Sequence, residues 1–495
     1  MICLIQNKQD YNNDLRAMIM AFFPGVKIAE CSKDEVELKN ADLEKKAEDI
    51  EFVFEACYED ICTTLKLYHM PDKGIHKKID GDYRDREGFR NKLKLASYHI
   101  LSEYTGKRLP WGDLTGVRPT KIAMKQLLDG NGYEAAVKHY MDIYDVSRRK
   151  AELAAKVAGR ELILTKDFDL ERDYCLYVGI PFCPSRCLYC SFTSYPIEAY
   201  RDKASVYIER LKEEISTVKN MLGDGRRLVS VYIGGGTPTS ISHELMDELL
   251  LHIENTFDLS HLKEYTVEAG RPDSISEEKL VVLKKHGVTR ISINPQTMND
   301  KTLKLIGRAH TSAQAEEAFF LARKCGFDNI NMDIIAGLPN ENLDSMEYTL
   351  GRIKKLAPES ITVHSLAIKR AARLNEQMSE FSDSIHHDTD RMLDAVSEAA
   401  CEAGMEPYYL YRQKNIGGNL ENVGYAKEGC ECLYNILIME ELTDIISVGA
   451  GASTKLTFHK ENRVERVENC KSVDDYIERL EEMLERKRSF LREDI

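Results

Sequence analysis

Three thiols stand in one short run, Phe182-Cys183-Pro184-Ser185-Arg186-Cys187-Leu188-Tyr189-Cys190, spaced C-x3-C-x2-C. One loop carrying them can wrap a single metal centre. Three thiolates suit three irons of a 4Fe-4S cluster and leave the fourth iron open to a cofactor or substrate. Thirteen cysteines in 495 residues make a chance run of this kind a roughly 0.01 event. Zinc is the alternative, but closed zinc sites want four ligands, often in two pairs, and no matching Cys or His follows. Cys430 and Cys432 form a second close pair that reads as incidental.

The elements that must position this loop show as alternation between short β-branched runs and longer amphipathic segments, the pattern of parallel strands joined by crossover helices. Strands are expected at Cys175–Ile180, Val229–Ile233, Glu264–Ala269, Arg290–Pro295, Asn329–Ile335 and Ser360–Ala367. Tyr207, Leu211, Ile215, Val218 and Leu222 mark one helix face. Ser274 with Glu277 and Thr311 with Gln314 have capping-box spacing, and Gly287 and Gly326 stand where those helices should stop. Six βα repeats suit an open, partial α/β barrel with its ligands at the C-terminal strand ends. The cysteine loop follows the first of those ends.

Residues 1–170 read as a separate accessory region, mixed at its start and then helical near Arg90–Glu103, Ile122–Leu128 and Val146–Leu164. The lone Trp111 lies in a turn-rich link that reads as packed. Residues 171–380 form the core, and 381–495 complete or flank it through a helix at Asp388–Gly404 and apolar runs Pro407–Gln413 and Ile445–Val448. Charge alternation over Ser472–Arg488 suggests a solvated helix.

A net charge of -14 argues against broad nucleic-acid binding. The N-terminal residues lack the order of a secretory signal, and charges interrupt every long apolar run. A cytoplasmic protein with reduced thiols and no membrane span is expected.

Tyr177-Val178-Gly179-Ile180-Pro181-Phe182-Cys183, the three cysteines and Gly234-Gly235-Gly236-Thr237-Pro238 resemble the radical S-adenosylmethionine (SAM) superfamily. Within it they resemble the oxygen-independent coproporphyrinogen III oxidase (coproporphyrinogen dehydrogenase) family and its HemZ-type branch. The resemblance implies a partial (β/α)6 radical SAM barrel with a 4Fe-4S cluster on Cys183, Cys187 and Cys190. In that family S-adenosylmethionine chelates the open iron and is cleaved reductively to a 5'-deoxyadenosyl radical. Tyr177, Gly235, Gly236, Thr237, Glu268, Gln296, Arg308 and Asp333 match the family's cofactor contacts, as do Tyr189 and Ala367. Arg308 can fork a carboxylate, and Glu268, Gln296 and Asp333 can accept from hydroxyl or ammonium groups.

The implied reaction takes a hydrogen from a propionate β-carbon of coproporphyrinogen III, then releases carbon dioxide and one electron, leaving a vinyl group. No side chain is needed as a general base, so none is assigned as catalytic. An electron donor for the cluster and a tetrapyrrole are the implied partners. Lys369, Arg370, Arg373, Arg412 and Lys414 could meet substrate carboxylates. Two positions depart from the family: Gly179 replaces a His, and Ser191-Phe192 replaces Gly-Cys. The Cys-x-Phe ending also occurs in the related haem-chaperone branch, so haem binding or another radical reaction on a tetrapyrrole is the alternative.

Overall fold

A computed structural model of the chain describes residues 1–31, 51–69, 74–223, 225–367, 374, 388–413 and 417–492, the Glu87 and Arg492 side chains apart. Two compact units result, one of Met1–Gly159 with Leu410–Glu421, the other of Arg160–Tyr409 with Asn422–Ile495. No described helix is long and apolar enough to cross a membrane.

The second unit holds the repeats. Its strands are β1 (Asp173–Ile180), β2 (Arg227–Gly235), β3 (Glu264–Gly270), β4 (Arg290–Ile293), β5 (Ile330–Ala336) and β6 (Ser360–Ser365). Later come β7 (Glu406–Arg412), β8 (Glu421–Ala426), β9 (Asp444–Val448), β10 (Ser453–Phe458) and β11 (Arg463–Glu468). One sheet takes them in the order β7-β8-β6-β5-β4-β3-β2-β1-β9-β10-β11. The six repeats pair parallel as expected. Along these strands buried apolar residues such as Val231, Val267, Ile291, Ile334 and Val363 alternate with Tyr232, Thr266, Ser292, Asp333 and Thr362, so the apolar set makes the face that the helices cover.

Those helices are α1 (Arg201–Met221), α2 (His243–Thr256), α3 (Glu277–Lys285), α4 (Ser312–Lys324), α5 (Leu343–Leu356) and α6 (Thr389–Glu402). Tyr207, Leu211, Ile215 and Val218 form the buried stripe of α1. Thr311 and Gln314 close a complete capping box on α4. The box expected at Ser274 is not there. Ser276 caps α3 by accepting from Lys279 N, while Ser274 ends a 3-10 turn and donates to Arg271 O at 2.7 Å. Two serines two residues apart offer the same spacing signal, and Pro272 decides between them by starting the turn.

The run Ile445–Val448 becomes β9, which adds a seventh parallel strand beside β1. Backbones meet closely there: a Cβ on Gly449 would fall 2.4 Å from Gly179 O, and one on Gly179 would stand 3.3 Å from Val448 O. Gly179 therefore has a packing reason of its own. β8 runs antiparallel to β6 at the opposite end of the parallel set.

The charged C-terminus is less solvated than its alternation suggests. It forms a short helix, Val473–Glu478, and then a longer one, Leu480–Arg492. Lys487 is fully buried against Glu214 of α1, its Nζ 2.5 Å from Oε1 and 2.5 Å from Ser447 O. Glu214 also accepts from Tyr476 OH (2.5 Å), Gly449 N (2.8 Å) and Asn469 Nδ2 (2.8 Å). One carboxylate thus gathers α1, the end of β9 and the C-terminal helices.

The first unit carries a five-stranded sheet with the order Ile28–Glu30, Ile2–Gln6, Phe52–Tyr58, Cys62–Tyr68, Ile75–Asp80. Helices Asn12–Phe22, Arg86–Thr105, Thr120–Leu128, Tyr133–Tyr144 and Arg148–Thr165 accompany it, the last entering the second unit. Trp111 is fully buried, and its Nε1 donates to Glu421 Oε2 at 2.6 Å, while Lys150 Nζ donates to Oε1 at 2.7 Å.

Glu214→Ala or Lys487→Ala leaves one buried charge without its partner and should cost about 3–5 kcal/mol. A urea titration of the full chain checks this. Lys203→Ala, which removes only an exposed partner of Asp474, should cost less than about 1 kcal/mol.

Candidate functional site

After Ile180 the chain enters Phe182–Cys183, which pairs parallel with Tyr195–Pro196 and so closes the base of the cysteine loop. Backbone bonds fasten the loop to neighbouring strand ends: Thr237 N to Phe182 O (2.7 Å), Gly236 N to Ile180 O (2.8 Å) and Leu188 N to Ile306 O (2.9 Å). The glycines make the first two possible. A Cβ on Gly236 would fall 2.5 Å from Phe182 O and 3.1 Å from Cys183 Sγ, and Gly235 has φ +108°. No other residue fits both places without moving the loop.

Cys183 Sγ lies 3.4 Å from Thr237 Oγ1, and Cys190 Sγ lies 3.9 Å from Ser194 Oγ. Buried Cys187 faces two guanidinium groups, Arg271 Nη1 at 3.9 Å and Arg308 Nη1 at 4.0 Å. Burial pushes the Cys183 thiol up to about 11 and raises that of Cys190. Iron must therefore displace protons to bind. Among the described residues no three His, Cys, Asp or Glu side chains gather as a single-ion site would require. A cubane does not ask for that, since each thiolate takes its own iron. Soft donors on one loop, seated over a glycine floor, fit such a cluster.

Beyond the loop, five strands each place one partly exposed side chain between buried neighbours: Tyr177 (β1), Tyr232 (β2), Glu268 (β3), Asp333 (β5) and His364 (β6). These define the open interior of the barrel. Tyr232 OH donates to Glu268 Oε1 at 2.5 Å. Burial, supported by the Asp333 charge and opposed by the Tyr232 bond, pushes the Glu268 carboxyl up to about 7. Burial acts the same way on Asp333, but His364, 3.7 Å away, and Asn331 Nδ2, at 2.6 Å, hold that carboxyl below its ordinary value. The interior thus pairs a carboxyl raised by burial with one held low by its neighbours.

Tyr177 and Tyr232 stack with Tyr434, the Tyr232–Tyr434 centroids 4.4 Å apart. Tyr434 arrives on α7 (Leu433–Glu440), whose first N–H groups donate to the buried Glu264 carboxylate, Leu433 N at 2.6 Å and Tyr434 N at 3.3 Å. An acid at a helix N-terminus is favourable by charge as well as by hydrogen bonding.

Gln296 lies beyond the end of β4 in a single bridge to Ile334, with φ +67°. β4 stops at Ile293, short of the expected Pro295, because Gln296 turns left-handed. Its backbone bonds Asp333 O and Ile335 N, and its buried Oε1 has no partner. A ligand donor would satisfy that oxygen. Arg308 is buried and already engaged, Nη2 to Asn294 O (2.6 Å) and Nη1 to Tyr189 OH (3.0 Å), with Nε unpartnered. Ala367, partly exposed, stands just beyond the end of β6.

The structure thus sets Tyr177, Gly235, Gly236, Thr237, Glu268, Gln296, Asp333, Arg308 and Tyr189 at or near the C-terminal ends of the strands, around the cysteine loop. Lys369, Arg370, Arg373 and Lys414 lie outside the described residues. Arg412 is instead buried in the first unit, donating to Leu114 O at 2.8 Å with its guanidinium 5.5 Å from the centre of the Trp111 ring. Sequence reasoning missed Tyr232, His364, Tyr434 and Arg271. The first two were open to it, since strand alternation puts Tyr232 in register with Tyr177. Nothing local marks Tyr434.

The radical SAM superfamily pattern matches residues 177–353. The chain is 39% identical over 421 residues to the oxygen-independent coproporphyrinogen-III oxidase-like protein HemZ of Bacillus subtilis, covering 84% of each. It is 37% identical over 194 residues to the heme chaperone HemW of Bacillus subtilis, covering 39% of this chain and 50% of that one. The solved coproporphyrinogen III oxidase (HemN) from Escherichia coli, a radical SAM enzyme, shares the fold with a TM-score of 0.51. That match has 20% identity over 65% of this chain and 72% of the other.

Gly236→Ala should displace the cysteine loop, and iron and sulfide per chain after anaerobic reconstitution should fall by more than half. Gly351→Ala, on a helix position with nothing within 4 Å, should retain both.

Proposed function

The chain belongs to the radical SAM superfamily, among the oxygen-independent coproporphyrinogen III oxidase-like proteins, and we propose that it decarboxylates two propionates of coproporphyrinogen III to vinyl groups, giving protoporphyrinogen IX. Its cofactors are a 4Fe-4S cluster and S-adenosylmethionine. The observation that carries the substrate reading is the extent of the HemZ match, 84% of each chain, more than the barrel alone can supply.

Cys183, Cys187 and Cys190 hold the cluster and leave one iron free. Gly235, Gly236 and Thr237 would let the backbone meet the methionine end of the cofactor, and Arg308, whose Nε has no partner, would meet its carboxylate. Glu268, Asp333 and the unpartnered Gln296 Oε1 accept from hydroxyl and ammonium groups. Tyr177, Tyr189 and Ala367 line the same space. Bound together, the cofactors supply one-electron chemistry that abstracts a hydrogen atom from a substrate carbon. The side chains position both molecules and keep water from the reacting carbon. Each propionate gives up one hydrogen atom, one carbon dioxide and one electron. A donor must therefore reduce the cluster, and an acceptor must take the last electron. Residues 171–380 carry this chemistry, 1–170 form an accessory region, and 381–495 complete or flank the barrel, with Leu410–Glu421 belonging to the first unit.

A second reading, haem binding and transfer, draws on the HemW likeness and on Ser191-Phe192 after the last cysteine, where Phe192 is exposed.

Arg308→Ala and Glu268→Ala should each weaken S-adenosylmethionine binding roughly tenfold to a hundredfold, the loss of a charge-assisted hydrogen bond. Iron content should stay at that of the parent. Unchanged affinity in both variants would refute the roles given to these side chains.

The reaction is tested by anaerobic incubation with reductant, S-adenosylmethionine, an electron acceptor and coproporphyrinogen III. 5'-Deoxyadenosine, carbon dioxide and a vinyl-bearing product should rise together and vanish in Cys187→Ala. Formation of 5'-deoxyadenosine without decarboxylated porphyrinogen would overturn the oxidase reading. Tight haem binding with transfer to an acceptor protein would put the chaperone in its place.

A further inference from the structure

The strand end after β3 carries a group that the cofactor roles above leave unused. Gly270, with φ +51°, turns the chain into Arg271-Pro272-Asp273. Pro272 begins a 3-10 turn, and Ser274 closes it through N (2.9 Å) and Oγ (2.7 Å) on Arg271 O. That turn fixes Arg271 and Asp273 against each other: Nε meets Oδ1 at 2.9 Å and Nη2 meets Oδ2 at 2.6 Å, a two-pronged fork. Arg271 is 3% exposed. With Nε and Nη2 taken, Nη1 remains. It donates to Ser185 O (3.0 Å) and lies 2.8 Å from Ser185 Oγ, on the cysteine loop, and 3.9 Å from Cys187 Sγ.

Burying a guanidinium and a carboxylate costs several kcal/mol of lost hydration for each ion, and a purely structural clamp on one serine would not need either. Their placement has an electrostatic consequence. Thiolate ligands give the cluster negative charge, and cations or donors at its sulfurs favour the electron-rich state, so they raise the reduction potential. Arg308 supplies one cation at Cys187. Arg271 supplies a second, and Asp273 offsets it from the far side of the guanidinium. His310, buried with Nδ1 3.8 Å from Asp273 Oδ1, adds no further charge, because burial and Arg308 lower its pKa to about 3.

We propose that Arg271 is a positioning residue for the cluster, clamping the C-x3-C segment through Ser185 and, together with Asp273, setting the cluster's one-electron reduction potential through the Cys187 sulfur. This rests on the three cysteines holding a 4Fe-4S cluster, which the iron and sulfide content of the parent protein tests separately. The couple in question is uptake of one electron by the cluster, with no bond made or broken.

The test is a mediated spectroelectrochemical titration of anaerobically reconstituted full-length protein, read alongside iron content. Arg271→Gln should move the midpoint to more negative potential by about tenfold in the reduction equilibrium, or 59 mV for one electron. Asp273→Asn should move it the opposite way, and Arg271→Lys should stay closer to the parent than Arg271→Gln. Ser185→Ala keeps both charges and should leave the midpoint unchanged while the cluster is lost faster to a chelator. If Arg271→Gln fails to assemble a cluster, Asp273→Asn still decides. Arg271→Gln or Asp273→Asn protein that carries full iron and shares the parent's midpoint, or a shift of these two variants in the same direction, would overturn the proposal.

Discussion

Backbone must pass over backbone at the end of β2, and the remainder of the site is arranged around that approach. The cysteine loop leaves β1 and crosses Gly234-Gly235-Gly236 so closely that one methyl group on Gly236 would strike Phe182 O. Two hydrogen bonds result, from Gly236 N and Thr237 N, and they hold the first thiol within reach of Thr237 Oγ1. A side chain here would cost the bonds as well as the space. A metal centre on the loop therefore inherits its position from a sheet edge rather than from the loop's own stiffness.

Parallel pairing then does the gathering. Strands in the same direction bring all their C-terminal ends to one rim, so residues far apart in the chain become neighbours. Each of five strands contributes one partly open side chain to the interior. Arg271, paired with Asp273, and Arg308 stand at Cys187, while Glu268 and Asp333 lie on β3 and β5, where burial raises one carboxyl and His364 and Asn331 hold the other low.

The rim is braced from the C-terminal part of the chain. Glu214 collects Lys487, Tyr476, Asn469 and Gly449 N, and so keeps β9 against β1 beneath the cysteine loop. Glu264 performs a similar task for α7 and, through it, for the tyrosine stack. Both are buried carboxylates on the barrel that terminate segments arriving from beyond residue 430. Removing either would leave donors without acceptors in the interior, which is costly in a low-dielectric setting.

Local chemistry was readable in the chain. The C-x3-C-x2-C spacing, the glycine run, six alternating βα patterns and the Thr311–Gln314 box required no tertiary information, because each depends on neighbours within a few residues. Other features depend on partners that periodicity cannot identify. The strand before β1 in the sheet is β9, from 270 residues downstream by its pairing of Ile445 with Cys175. Ser276 rather than Ser274 caps α3 because a proline turn claims the latter. Lys487 looks like one more charge on a solvated helix until Glu214 appears opposite it. Arg271 becomes notable only when the loop carrying Ser185 and Cys187 folds across it. Spacing along the chain determined which groups could do chemistry, and long-range pairing decided which charges, rings and backbone amides surround them, since burial and Coulomb interactions act through space and leave no period in the sequence.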